Sequence, residues 1–202
     1  MRLDKILDAL FPATCVACNA PQAGLCASCL PPPEAAQRFR LGSLRVCTLG
    51  TYDGPLREAV LVFKHGRRDV GGALAAALNV RFGKELTARL TLVPVPTTSA
   101  RRAERGFDQG AFLARELGGR SGLGVLELLR QTAGDAQHGR SRVARLAARE
   151  RFRCTAPELA RGLRAILVDD VVTTGATLRD CRAILESAGA RVVLAVAAAR
   201  AL

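Results

Sequence analysis

The chain has 202 residues, 49% of them apolar types, and a formal net charge of +12. That length holds one α/β domain of ordinary size plus a small appendage, and the apolar share is enough for a packed core. No run of about 18 apolar residues is free of charge, so no membrane span is expected. Asp4, Lys5 and Asp8 interrupt any secretory segment, so the expected location is cytoplasmic. The excess charge is carried mostly by arginine. Residues 101–153 hold 12 Arg and no Lys against 6 acids. Arginine forks suit phosphate, although solvated helix faces in an Arg-rich chain would look the same.

In chain order, Leu3, Ile6, Leu7 and Leu10 predict a short amphipathic helix over residues 3–10. Cys15-Val16-Ala17-Cys18 follows, and Cys26-Ala27-Ser28-Cys29 comes after a gap of seven residues. Two such pairs supply four thiolates to one tetrahedral zinc, and Pro21 and Gly24 let the interval turn back. Disulfides or a redox pair are the alternative use. So small a segment cannot fold on apolar burial alone, so a structural zinc is expected at Cys15, Cys18, Cys26 and Cys29. Pro31-Pro32-Pro33 is a stiff boundary. The expected division is a zinc module over residues 1–40 and a larger unit over 41–202.

Residues 44–51 predict a strand, and Tyr52-Asp53-Gly54-Pro55 a turn into a helix with Leu56, Ala59, Val60 and Phe63 inward. That helix ends in a basic patch containing Lys64 and His65. Lys64 is placed either to reach a diphosphate or to stabilise the helix C-terminus. A second helix turns Leu74, Ala77, Leu78 and Phe82 inward. Leu90 to Pro96 predicts a strand stiffened by proline. Thr97-Thr98-Ser99 then offers hydroxyls and amides to a second anion, with Arg101, Arg102 and Arg105 just beyond. A helix after Gly106 turns Phe107, Ala111, Ala114 and Leu117 inward. Residues 130–142 are polar and glycine-containing, as in a mobile loop, and His138 within it is either an acid/base or a solvated side chain. A basic helix with Val143, Leu146 and Ala147 inward follows. Cys47, Cys154 and Cys181 are read as small buried apolar residues.

The most informative stretch is Ala165 to Leu178. Four apolar residues predict a buried strand ending in the carboxylates of Asp169 and Asp170. A short loop leads into a helix with Leu178, Cys181, Leu185 and Ala188 on one face. Arg191 to Ala198 reads as another buried strand, which makes a unit of a parallel α/β sheet. Ligands of such sheets bind beyond the carboxyl ends of the strands. The backbone of Val172, Thr173, Thr174, Gly175, Ala176 and Thr177 presents amides at a helix start, which suits a phosphate monoester. Ionised carboxylates only accept hydrogen bonds, so Asp169 and Asp170 suit sugar hydroxyls. Together these describe a ribose 5-phosphate.

This run resembles the type I phosphoribosyltransferase signature, the site for phosphoribosyl pyrophosphate (PRPP). The wider pattern is Phe11-Pro12, two CxxC pairs, Phe63-Lys64, Val93-Pro94-Val95-Pro96, Arg105-Gly106-Phe107-Asp108-Gln109, then Gln137 with Arg142 and Arg145, and the Asp169 motif. It is similar to the ComF family, which usually carries Asn at the position of Asp108. The resemblance implies a type I phosphoribosyltransferase-like parallel sheet with helices on both faces, joined to the four-cysteine zinc module. It implies PRPP bound with Mg²⁺ at Asp169, Asp170, the 172–177 loop, Thr97 and Arg105. Arg101, Arg102 and Lys64 would stabilise the leaving pyrophosphate, and a loop at 130–142 would close over the ligand.

Three functions follow as expectations. One is a phosphoribosyltransferase whose acceptor cannot be named. An amidophosphoribosyltransferase is not expected, because no glutaminase domain precedes the unit and Cys15 is not N-terminal. Another is a nucleic-acid-binding factor in single-stranded DNA uptake during natural transformation. The third is an adaptor whose zinc module docks a competence helicase. With only 4% aromatic residues, DNA binding would be mostly electrostatic.

Overall fold

The structure is a computed structural model of the 202-residue chain, and it describes residues 14–22, 24–132 and 151–201. The expected helix at 3–10, His138 and the basic helix after it lie outside the described residues.

Six strands form one sheet: β1 (Gln37–Leu41), β2 (Leu44–Thr51), β3 (Thr91–Pro94), β4 (Gly124–Val125), β7 (Arg164–Val172) and β8 (Arg191–Arg200). Their order is β1-β2-β8-β7-β3-β4. Only the β1–β2 hairpin is antiparallel, and every other pairing is parallel. Strand β7 sits near the centre with Asp169 opposite Ala197 of β8. Its residues Ala165 to Val168 are fully buried, as strands covered on both faces must be.

Helices α1 (Gly54–Lys64), α2 (Arg68–Phe82) and α4 (Gln109–Ser121) cover one face, where Phe63, Leu74, Leu78, Leu113 and Leu117 meet Ile166, Val168, Leu194 and Val196. Helix α6 (Ala176–Ser187) covers the other, where Leu178, Cys181 and Leu185 meet Leu167, Ala195 and Ala197. A short helix α5 (Pro157–Ala160) precedes β7 on that side, buried through Ala160. A small antiparallel pair, β5 (Leu129–Gln131) and β6 (Phe152–Cys154), packs there through Leu129 and Phe152.

The inward residues expected for α1 and α2 are buried, as are Leu178, Cys181 and Leu185 of α6, whereas Ala188 lies just past the end of α6 and is only partly buried. The segment after Thr97 differs from a loop: Ser99–Arg105 forms helix α3. Ala100, Ala103 and the arginines are good helix formers, and the Arg102 amide donates to Thr98 O at 2.9 Å. Strands β1, β4, β5 and β6 were not expected.

The four-cysteine segment lies on α2. Cys15, Leu25 and Cys26 join the core on the α2 face. The Gly24 amide donates to Asp69 Oδ2 at 2.9 Å, and Arg67 Nη2 donates to Thr14 O at 3.3 Å. Gly24 has φ +78°, and a Cβ there would come within 2.9 Å of both Ala73 Cβ and Asp69 O. Only glycine meets both demands.

Candidate functional site

Strand β7 does not stop before its carboxylates; the ladder runs on through Val172. Alternation therefore sends Asp169 and Asp170 to opposite sides of the strand end. Each turns back on the backbone: Asp169 Oδ1 accepts from the Asp170 amide at 2.9 Å, and Asp170 Oδ1 from the Val171 amide at 2.7 Å. Asp170 Oδ2 lies 3.0 Å from Lys64 Nζ, at the end of α1. Lys64, in the last turn of α1, thus turns its ammonium to a cleft carboxylate. The Asp169 residue keeps a partly exposed edge, but its carboxyl is enclosed. Burial, then the neighbouring Asp170 charge, raises it well above the ordinary carboxylate range.

The loop after β7 turns at Gly175, whose φ is +71°, and α6 begins at the next residue. A Cβ at Gly175 would collide with Leu41 Cδ1 of the β1–β2 hairpin. Thr174 Oγ1 accepts from the Ala176 amide at 3.4 Å. Thr173 and Thr177 face the cleft, while the Val172 side chain is buried in the α6-side core. Val172 can therefore contribute to the cleft only through its backbone. A turn of small residues opening a helix of this length is a suitable anion seat.

The opposite wall comes from β3 and the start of α4. Asp108 caps α4: Oδ1 accepts from the Ala111 amide at 3.0 Å, and Oδ2 accepts from the Thr97 amide at 3.2 Å and Arg102 Nη2 at 3.0 Å. One carboxylate thus fixes the loop, the helix and an arginine together. Thr97 lines the cleft, but its amide is engaged. Arg105 also lines the cleft and donates to Gln109 Oε1 at 3.2 Å. The Arg101 backbone is in α3; its side chain lies outside what is described. Phe63 meets Phe107 edge-on at 5.5 Å, which ties the end of α1 to the segment before α4.

These parts enclose a cleft of about 330 Å³ at the carboxyl end of the sheet. Lys64, Thr97, Arg105, Asp169, Asp170, Thr173 and Thr177 converge there as expected, whereas Thr174, Gly175 and Ala176 form the turn behind them. Sequence reasoning missed Tyr52, Gln109, Arg151 and Phe152, which also line it, as does Gln131 from the 130–142 segment expected over the ligand. Gln109 is 3% exposed, and its Nε2 has no partner among the described residues. Its place directly after a capping Asp was a readable signal; the others arrive from distant segments.

The second cluster is Cys15, Cys18, Cys26 and Cys29, whose sulfurs all lie within 4.8 Å of one another. Cys18 and Cys26 are 3.6 Å apart, and all seven cysteines are free. A tetrahedral ion with Zn–S of about 2.3 Å spaces its sulfurs by about 3.8 Å, so this donor set fits one. The Cys26 amide, donating to Cys15 Sγ at 3.4 Å, pulls the Cys15 thiol down to about 6. Contacts with Cys18 and Cys26 push Cys29 up to about 12. So crowded a set is deprotonated together only by a cation.

Comparison with known proteins bears on the unit that carries the cleft. Residues 54–201 match the phosphoribosyl transferase domain family. The DNA utilization protein YhgH of Salmonella typhi is 30% identical over 191 residues, 86% of this chain and 80% of that protein. The competence protein ComFC of Bacillus subtilis is 32% identical over 130 residues, 63% of this chain and 52% of that one. The solved glutamine PRPP amidotransferase from B. subtilis, complexed with ADP and GMP, superposes with a TM-score of 0.42 at 20% identity. That match covers 66% of this chain and 26% of the solved one. With a family match across most of its length, the chain belongs to the phosphoribosyl transferase domain family, as a ComF-type, phosphoribosyltransferase-like protein.

Proposed function

We propose that the cleft binds PRPP and that the protein serves the handling of single-stranded DNA during uptake. The observation that carries the first half is the convergence of two carboxylates, Thr173 and Thr177 of the small-residue loop, and Lys64 on one cleft. The 5-phosphate would rest on the amides of 173–177 and the Thr173 and Thr177 hydroxyls. Asp169 and Asp170 would accept from the ribose hydroxyls. To do so Asp170 must exchange its ion pair with Lys64 for the sugar. That frees the Lys64 ammonium for the diphosphate, where Arg105 is also at hand. Two carboxylates inside a cationic rim are a hard oxygen donor set that suits Mg²⁺ accompanying the diphosphate. When bound, the ion supplies neutralisation of the leaving charge. With Lys64 released and Arg105 beside the departing diphosphate, these cations would stabilise the bond-breaking state.

The DNA half is supported by the names of the relatives, a DNA utilization protein and a competence protein, and by the +12 charge. Zn²⁺ held by the four thiolates would be structural, since four protein ligands leave no open position. Titration calorimetry of the full chain with PRPP and Mg²⁺ tests the central reading. Saturable heat is expected, and none at millimolar ligand contradicts it.

A further inference from the structure

The amino ends of the parallel strands carry equipment unlike that of the cleft. Arg40, Arg45, Arg164 and Arg191 are exposed. Each is flanked by residues that enter the α6-side core: Phe39 and Leu41, Leu44 and Val46, Leu163 and Ala165, Ala190 and Val192. Side chains alternate along a strand, so all four arginines stand on the opposite face. On that face α2 ends at Phe82. Arg40 is the direct cross-strand partner of Arg45, and Arg164 of Arg191. Like charges so paired are unfavourable by a few tenths to about 1 kcal/mol. One further such pair, Arg130 and Arg153, sits apart on the β5–β6 hairpin.

These four, with Lys84 and Arg182, line one groove of about 580 Å³. Each of its carboxylates is already paired: Glu85 with Arg38, and Glu186 with Arg182 inside the groove. Among the described residues, Arg40, Arg45, Lys84, Arg164 and Arg191 have no carboxylate within 4.0 Å. Arg164 and Asp169 are five residues apart on one strand, about 17 Å at the rise of a β-strand. The groove is therefore separate from the cleft.

We propose that this arginine face binds the phosphodiester backbone of a single-stranded nucleic acid. It rests on the DNA-handling half of the function proposed above and is independent of the PRPP half. Four of the five unpaired cations are arginines, whose planar forks match phosphate oxygens in pairs. A groove at a sheet end can be followed by a flexible strand. No aromatic residue lines it, so the contacts fall on phosphates and the binding is indifferent to sequence.

Fluorescence anisotropy of the full chain with a labelled oligo-dT of about 20 nucleotides, at several salt concentrations, tests the proposal. The triple variant Arg45→Glu, Arg164→Glu, Arg191→Glu is expected to weaken binding at least about ten-fold and to reduce the salt slope by about 2, for three lost phosphate contacts. The milder Arg45→Gln, Arg164→Gln, Arg191→Gln set gives the same direction and keeps the test readable should the reversal misfold. A matched reversal at Arg57, Arg115 and Arg153 controls for net charge and is expected to change affinity less than about three-fold. Undiminished binding by either groove variant overturns the proposal. So does an equal loss in the control, or competition by polyglutamate as effective as unlabelled oligo-dT. PRPP calorimetry on the same variants is expected to be unchanged, so failure of the cleft reading is seen separately.

Discussion

The cleft and the four-cysteine segment are held in opposite ways. The cleft is a consequence of the sheet. Its carboxylates end the central strand β7, its loop opens α6, and its far wall is the cap of α4. Removing a ligand leaves each of those elements in place. The cysteine segment has little of its own to bury beyond Cys15, Leu25 and Cys26, and it borrows α2 for the rest. The lesson is that a binding site can be inherited from secondary structure, whereas a small module needs a local crosslink.

The largest effect separates the two regions. Changing Cys18 and Cys29 to serine, or stripping metal with a chelator, should remove one zinc per chain. Structural zinc is worth on the order of 10 kcal/mol to a small module. Hydrogen exchange should then show lost protection at Cys15, Asn19, Cys29 and Leu30, whose amides are bonded in that segment. Amides of β7 and β8 should be unmoved. Simultaneous melting of both would break the comparison.

Next comes Asp169→Asn with Asp170→Asn. Loss of two charge-assisted acceptors is expected to weaken PRPP about 100-fold by calorimetry, at roughly 1.5–3 kcal/mol for each bond to a charged group before non-additivity. The fold should persist, with an unchanged urea midpoint or a higher one.

Gly175→Ala follows. A positive φ and the close approach of Leu41 both oppose a methyl group. About 1–3 kcal/mol of stability should be lost in urea unfolding. Adding Leu41→Ala should recover only the steric share.

The smallest effect is one of pH. The Asp169 carboxyl is raised above its ordinary range by burial and by Asp170. Between its unfolded and folded pKa values the native state holds more protons, so stability falls as pH rises through that window. Urea midpoints of the unliganded protein should decline upward from about pH 4, and Asp169→Asn should flatten the slope.

Much of this was legible in the sequence. The β7–α6–β8 unit declares itself through period, carboxylates and small-residue turn in a single stretch, and the buried stripes of α1 and α2 follow the helical repeat. Strand β1 was hidden because Gln37–Leu41 is short and lies just after three prolines. The β5–β6 pair joins residues more than twenty positions apart, which no local period reports. The cleft walls from Tyr52, Arg151 and Phe152 are hidden for the same reason. Asp108, which reads as a departure from the family pattern, is the cap that ties Thr97, Ala111 and Arg102 together.

The most direct test is a crystal structure of the full chain with PRPP and Mg²⁺. The 5-phosphate should lie on the amides of residues 173–177, with both ribose hydroxyls on Asp169 and Asp170 and the Lys64 ion pair to Asp170 opened. A sugar bound elsewhere, or an intact Lys64–Asp170 pair with the ligand in place, would contradict the account.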